Sequence, residues 1–451
     1  MAVFDLKTLL LPYGDRVIKV KAKATGYTDS GFSNSVTYHS APIISRKDGS
    51  TLTIANCRAA ATSYEIYKNG TLVKTVSFSG SDGDSIDVDI SSEFDNGNNN
   101  VYVKGVGTGV SANQSPTLGF WKGNNIILGV SGLYASSTSL TRTDAAEGLT
   151  WALSSNKISS DLDDYFPYNQ MLRKTHSDDA NIAEGEAFVY IPAMYWRIGY
   201  DSNGYITDIA VAPAAMEAGE NQVIAHSDAF YYGAYGANVT SNLMYSKSGV
   251  ARTGGLTRAN FRSYAKARGD KYRQLDLYHM RILDYLFMIE FATKSSDTVM
   301  QGYTSYGQNT GATDSFTAAT EQASNGGRMR WRYIEDFIGN GFEFFDGMSG
   351  YKVTDDESSY NDASAGDLTF GSCSGYFTAL KIDPTKPLLS VPQGTSGSTT
   401  TYFGDYAYFN GVAVYSRGRY SSSAENGLFY LNSAAASYAN ASIGSRLIQL
   451  L

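Results

Sequence analysis

The chain has 451 residues, 42% of them apolar and 18% charged, with a formal net charge of −8. That is long enough for two or three domains with a sizeable core, and the balance is that of an ordered globular protein rather than a disordered one. The acidic charge argues against a nucleic-acid partner, which needs a basic face, and against insertion into or docking on an anionic membrane.

Forty-five Gly and 34 Tyr against nine Pro favour strands and turns. Cys57 and Cys373 have no metal-type spacing and fall in different predicted domains, so no disulfide between them is expected. No secretory leader pattern opens the sequence, and no apolar run reaches membrane-spanning length. The start reads as cytosolic.

From residue 15 the pattern alternates, with Ile18, Val20, Ala22 and Ala24 inward and Lys19, Lys21 and Lys23 outward. A turn at Gly26 to Gly31 and a strand at Ser35 to Tyr38 follow. Further strands are predicted at Thr51 to Asn56, Tyr64 to Tyr67, Thr71 to Val76, Ser85 to Ile90 and Val101 to Gly109. Asn69-Gly70 is a type I′ hairpin signal. Residues 41–117 therefore read as a β-sandwich similar to the immunoglobulin or fibronectin-III class, without its Cys–Trp–Cys core. Residues 1–40 resemble only the last strands of such a unit and are assigned to assembly or attachment.

At Phe120-Trp121 the texture changes, and 118–451 reads as one mixed α and β domain. Phe188 to Pro192 and Met194 to Trp196 signal buried strands. Thr257 to Ala267 is a Thr-capped helix, and Leu275 to Thr293 is the strongest helix, with Ile282, Leu283, Leu286, Phe287 and Ile289 on a broad apolar face.

Chemistry is sparse. The four histidines, His39, His176, His226 and His279, lack metal-ligand spacing and read as surface or packing residues. No phosphate loop, dinucleotide fingerprint or nucleophile elbow occurs. The Asp161, Asp163, Asp164 and the Asp355, Asp356, Glu357 clusters could each hold calcium, but they lack an EF-hand pattern and read better as solvated loop charge; no metal and no cofactor is assigned. Glu335 and Glu343 could serve as paired carboxylates for glycoside hydrolysis. Their aromatic setting favours buried carboxylates tying Arg330 or Arg332 to loop amides.

The last fifty residues carry the strongest signal. Gly427 to Leu431 and Ile443 to Leu447 look like short buried strands. Between and before them stand Ser, Ala, Tyr, Asn, Gly and Arg, the composition of an antibody-like contact surface.

Here the sequence resembles a known group. Arg332 to Gly347 looks like the RGIEN-x-WGNVWEWVDG signature of C-type-lectin-fold proteins related to formylglycine-generating enzymes. Gly185 to Tyr195 is similar to the FV-x-IPKFY strand of that group, and Leu283 to Thr293 to its second helix. Tyr402 to Tyr406 and Ala424 to Leu447 are similar to the ending of variable proteins diversified by retroelements, many of them phage tail proteins. The signature tryptophans are replaced by Phe337, Phe342 and Phe344. The enzymatic branch uses a cysteine pair, whereas Cys373 stands alone, so no enzyme activity is expected.

The resemblance implies a multidomain chain, with an all-β immunoglobulin-like N-terminal part and an α+β C-type-lectin-like C-terminal domain. It implies a variable region over about 413–446 and a virion protein at a tail tip or fibre, binding a host cell-surface receptor of protein or glycan. Other tail proteins would be partners, in a homotrimer. The alternatives are a carbohydrate-active enzyme using Glu335 and Glu343, or a purely structural tail component. Candidate variable positions are Tyr415, Arg417, Arg419, Tyr420, Ser421, Ser422, Ala434, Ala435, Tyr438, Ala441 and Ser442. Adenine mutagenesis of pyrimidine-ending codons cannot yield Lys, Gln, Met, Trp or Glu. None of the first four occurs from Thr401 to Ile448, where the chain's average would give about four; the one exception, Glu425, is taken as a fixed position.

Overall fold

The structure, a computed structural model, describes residues 16–18, 36–38, 42–46, 50–94, 97–108, 110, 114–115, 117–122, 126–355, 359, 368–409, 414–419, 421–423 and 426–451. The chain divides into two compact units, Met1–Ile126 and Ile127–Leu451. Both are built mainly of strands, and two α-helices occur among the described residues.

Among its described residues the first unit is all β. Ile43–Arg46, Thr51–Ala55 and Ile86–Asp89 form one antiparallel sheet; Thr71–Ser77, Ser63–Lys68, Gly97–Val106 and Leu118–Lys122 form another. Thr51–Ala55 alternates half-buried and buried residues, as a strand with one face on a core must. Leu52, Ile54 and Val88 from one sheet share a core with Tyr64, Ile66, Val101 and Val103 from the other. Asn69 and Gly70 both have positive φ, 49° and 84°, as the hairpin signal requires. The change of texture at Phe120-Trp121 is not a boundary, because Leu118–Lys122 pairs with Gly97–Val106 and belongs to the first unit. Arg16–Ile18 pairs with Val36–Tyr38; the predicted continuation through Lys19 to Ala24 lies outside the described residues.

In the second unit, helix α1 spans Arg258–Lys266 behind a Thr257 cap, and α2 spans Leu277–Phe291 behind an Asp276 cap. Helix α2 is apolar all round and almost wholly buried, so the sheets pack about it on every side. Its few charged side chains are paired: Asp284 meets Arg281 and Arg417, and Glu290 meets Arg332. One five-stranded sheet has the order Arg173–Thr175, Ala187–Ile191, Phe230–Gly233, Leu447–Leu450, Tyr272–Gln274. A six-stranded sheet has the order Cys373–Tyr376, Tyr406–Phe409, Leu431–Ala434, Val414–Arg419, Gly341–Phe345, Ile443–Gly444. It carries most of the Tyr- and Ser-rich ending.

Two expectations for that ending change. Gly427 to Tyr430 is a turn, buried through Phe429, and the strand begins only at Leu431. The turn's amides are taken by side chains: Leu428 N donates to Ser296 Oγ at 3.0 Å and Phe429 N to Asp405 Oδ2 at 2.7 Å. Glycine is needed at 427, since a Cβ there would lie 2.3 Å from Asp405 Oδ1. Ile443 to Leu447 is buried as expected, but splits into Ile443–Gly444 and the start of Leu447–Leu450.

Candidate binding surface

Residues opposite one another in a sheet point to the same side. In the six-stranded sheet, Phe345 pairs with Tyr415, Glu343 with Arg417 and Gly341 with Arg419. Leu431 pairs with Arg417 and with Ala407. This is the inner face, and it lies on α2. Arg417 Nη1 donates to Asp284 Oδ1 at 2.8 Å, with its guanidinium 5.1 Å from the Phe337 ring. Arg419 Nη2 donates to Asp297 Oδ2 and its Nε to Asn426 O. The Tyr415 hydroxyl donates to Gly350 O.

Tyr415, Arg417 and Arg419, at 0, 1 and 0% exposure, are therefore scaffold and not contact surface. Their alternation had the strand period, but the carboxylates that neutralise the two arginines lie more than a hundred residues away in sequence. Tyr420 lies outside the described residues.

The opposite, outer face is open only along its first three strands, because Ser416 and Phe344, in register with Asn432, are buried. Ser374 pairs with Tyr408, Tyr376 with Tyr406, and Tyr408 with Asn432. Tyr408 is 38% exposed, Ser374 is exposed, and Tyr376, Tyr406 and Asn432 are half-buried. The rings of Tyr376 and Tyr406 meet edge to face at 5.7 Å, and the Tyr406 hydroxyl lies 3.0 Å from Ser374 Oγ. Ala434, two residues beyond Asn432 on the same face, leads into the exposed connection that holds Ala435, Tyr438 and Ala441. Ser442 is half-buried there, its amide and hydroxyl both donating to Asn440 Oδ1. Ser421 is half-buried and Ser422 exposed.

Seven of the predicted positions thus reach solvent: Ser421, Ser422, Ala434, Ala435, Tyr438, Ala441 and Ser442. Sequence reading missed Ser374, Tyr376, Tyr406, Tyr408 and Asn432. The alternation of Tyr406 and Tyr408 with Ala407 and Phe409 is the signal that could have found two of the five.

The carboxylates weighed for hydrolysis are buried and held by arginines. Glu335, 1% exposed, accepts the Gly311 and Thr313 amides, the Thr313 hydroxyl and Arg328. Its loop-amide partners are as expected, but its arginine is Arg328. Arg332 pairs with Glu290, and Arg330 donates to the Thr313, Phe316 and Ala318 carbonyls. Glu343, 6% exposed, is bound by Arg446 Nε at 2.9 Å. Burial, with Asp336 alongside, raises the Glu335 pKa. Among the described residues, no group of three or more His, Cys, Asp and Glu gathers as a metal site.

Asp405 anchors the floor beneath this surface. Burial first, and then the neighbouring Asp297, push its carboxyl up to about 8. The fold favours the neutral acid, so this group's contribution to stability is full below its unfolded pKa of about 4 and is lost as pH rises through about 8. Asp405→Asn keeps an acceptor for the Phe429 amide and removes the titration. The variant is expected to gain stability over the parent at pH 8.5 and to show a flatter profile from pH 4 to 8 in denaturant melts.

A scan against protein-family models gives no match, and a search of curated proteins gives none either. No helix among the described residues is long and apolar enough to cross a membrane.

Proposed function

We propose that the chain is a non-enzymatic adhesin of a phage tail tip or fibre, binding a host surface receptor through its C-terminal unit. On this reading the second unit is C-type-lectin-like, the first is immunoglobulin-like, and the working form is a trimer within the virion. The observation that carries the reading is the outer face of the six-stranded sheet, where Tyr376, Tyr406 and Tyr408 stand with Ser374 and Asn432 over a charge-locked interior. Tyrosine gives large rigid contact area at low entropic cost, and Ser and Asn supply adaptable hydrogen bonds. Several copies on one tail would raise avidity without new contacts.

Labelling of a panel of bacterial strains by the purified chain tests it. Replacing Tyr376, Tyr406 and Tyr408 together by Ala is expected to cut labelling of a responsive strain at least about tenfold, as loss of hot-spot tyrosines does. Thermal unfolding should stay near that of the parent. Undiminished labelling by a folded triple variant would remove this face from the mechanism, and no labelled strain would favour a structural tail component.

The neighbouring DNA gives a second test. A near-repeat of the last coding stretch beside a reverse transcriptase gene should differ from it at adenines in codons of the solvent-reaching positions, such as Ala435 and Tyr438. It should match at Tyr415, Arg417 and Arg419, where burial forbids change.

A further inference from the structure

A second concave surface of the C-terminal unit lies on another sheet. Tyr190 stands directly opposite Tyr231, and the Tyr190 amide donates to Leu172 O at 3.0 Å, so Leu172, Tyr190 and Tyr231 form a row across one face. The two rings meet edge to face at 5.9 Å and 65°. This row borders a cleft of about 650 Å³, within the range of small-ligand sites.

The remaining walls are polar and pre-set. Asp179 Oδ2 accepts the Tyr231 hydroxyl at 2.7 Å, and its Oδ1 accepts both the amide and the side chain of Asn181. Asp178 Oδ2 accepts the Thr175 amide at 2.8 Å and the Thr175 hydroxyl at 3.0 Å. The Asn181 and Thr175 amides hold Asp179 and Asp178, respectively, below the usual carboxylate range. Lys174, Asn169, Gln170 and Ala180 complete the lining.

We propose that this cleft binds a saccharide. A pyranose has an apolar face of C–H groups and a rim of hydroxyls that both donate and accept. The half-buried Tyr190 ring offers a flat partner for the first. Fixed carboxylates, each with acceptor capacity beyond the bonds described, take hydroxyl protons, while the Lys174 ammonium and the Asn169 and Gln170 side chains donate. A quaternary ammonium suits the site less: the aromatic wall is one-sided and the Lys174 charge repels a cation. Binding here goes beyond the adhesin reading and needs none of the outer-face tyrosines, so the two stand or fall separately.

Saturation-transfer NMR on the full chain with maltose, lactose and N,N′-diacetylchitobiose, with choline chloride as the cation control, tests the site. At least one disaccharide is expected to bind. Removing a charged hydrogen-bond partner in Asp178→Ala should weaken it about tenfold or more, and Tyr190→Ala should do likewise while Tyr190→Phe binds as the parent does. The exposed Asp178 variant decides the matter if Tyr190→Ala does not fold. No binding by any of the three sugars, choline bound in preference, or unchanged affinity in a folded Asp178→Ala would overturn the proposal.

Discussion

Arg417→Ala is expected to destabilise the second unit by about 3–5 kcal/mol, seen as a lower denaturant midpoint. Arg417 and Asp284 are each 1% exposed, and their 2.8 Å contact is the arginine's charge partner across the interface between the six-stranded sheet and α2. Truncating Arg417 strips Asp284 of one of its two guanidinium partners and opens a cavity beside Phe337. Asp284→Ala is expected to cost more, because it strands both Arg281 and Arg417. Whole-domain stabilities are only about 5–15 kcal/mol, so either change consumes a large share of the total. A loss below about 1 kcal/mol, the range of exposed ion pairs, would mean that the pair is solvated in solution.

Phe429→Asp is expected to leave the second unit unfolded. Phe429 is 1% exposed, with its ring edge-on to Phe287 and Phe403. Loss of a buried Phe alone typically costs about 3–5 kcal/mol. The new carboxylate would also sit where the Phe429 amide already contacts Asp405, itself disfavoured as an anion. Lost near-ultraviolet circular dichroism from the second unit, with the first unit still protected from proteolysis, is the expected readout. The matching control is Tyr438→Asp, at a site 42% exposed, which should change stability by no more than about 0.5 kcal/mol. Native spectra for Phe429→Asp would show that the turn tolerates charge and does not hold the surface in place.

What could be read in advance followed local physics. Helix α1 announced itself by its Thr257 cap and period, α2 by its apolar run though not by its Asp276 cap, and the hairpin at Asn69-Gly70 by residues that tolerate positive φ. The burial of Leu428, Phe429, Ile443 and Leu447 was legible as apolar runs. The fate of charge was not. Arg417 and Arg419 resemble a polar surface in any local window, and only distant partners, Asp284 and Asp297, turn them into core. The outer tyrosine face was hidden for the same reason: it is assembled across strands, with Tyr376 and Tyr406 thirty residues apart in sequence yet paired in the sheet. Strand pairing is non-local, and no periodicity encodes it.

Because the outer-face residues ride on strands, their positions form a grid, about 4.8 Å between neighbouring strands and about 7 Å between same-side residues along one. Changing Tyr408 or Asn432 recolours one node and leaves the spacing of the rest untouched, since the backbone ladder holds it. A partner that reads such a grid must itself be flat or gently ridged at that pitch. If this face binds a partner, substitution there is expected to change the letters and leave the lines in place.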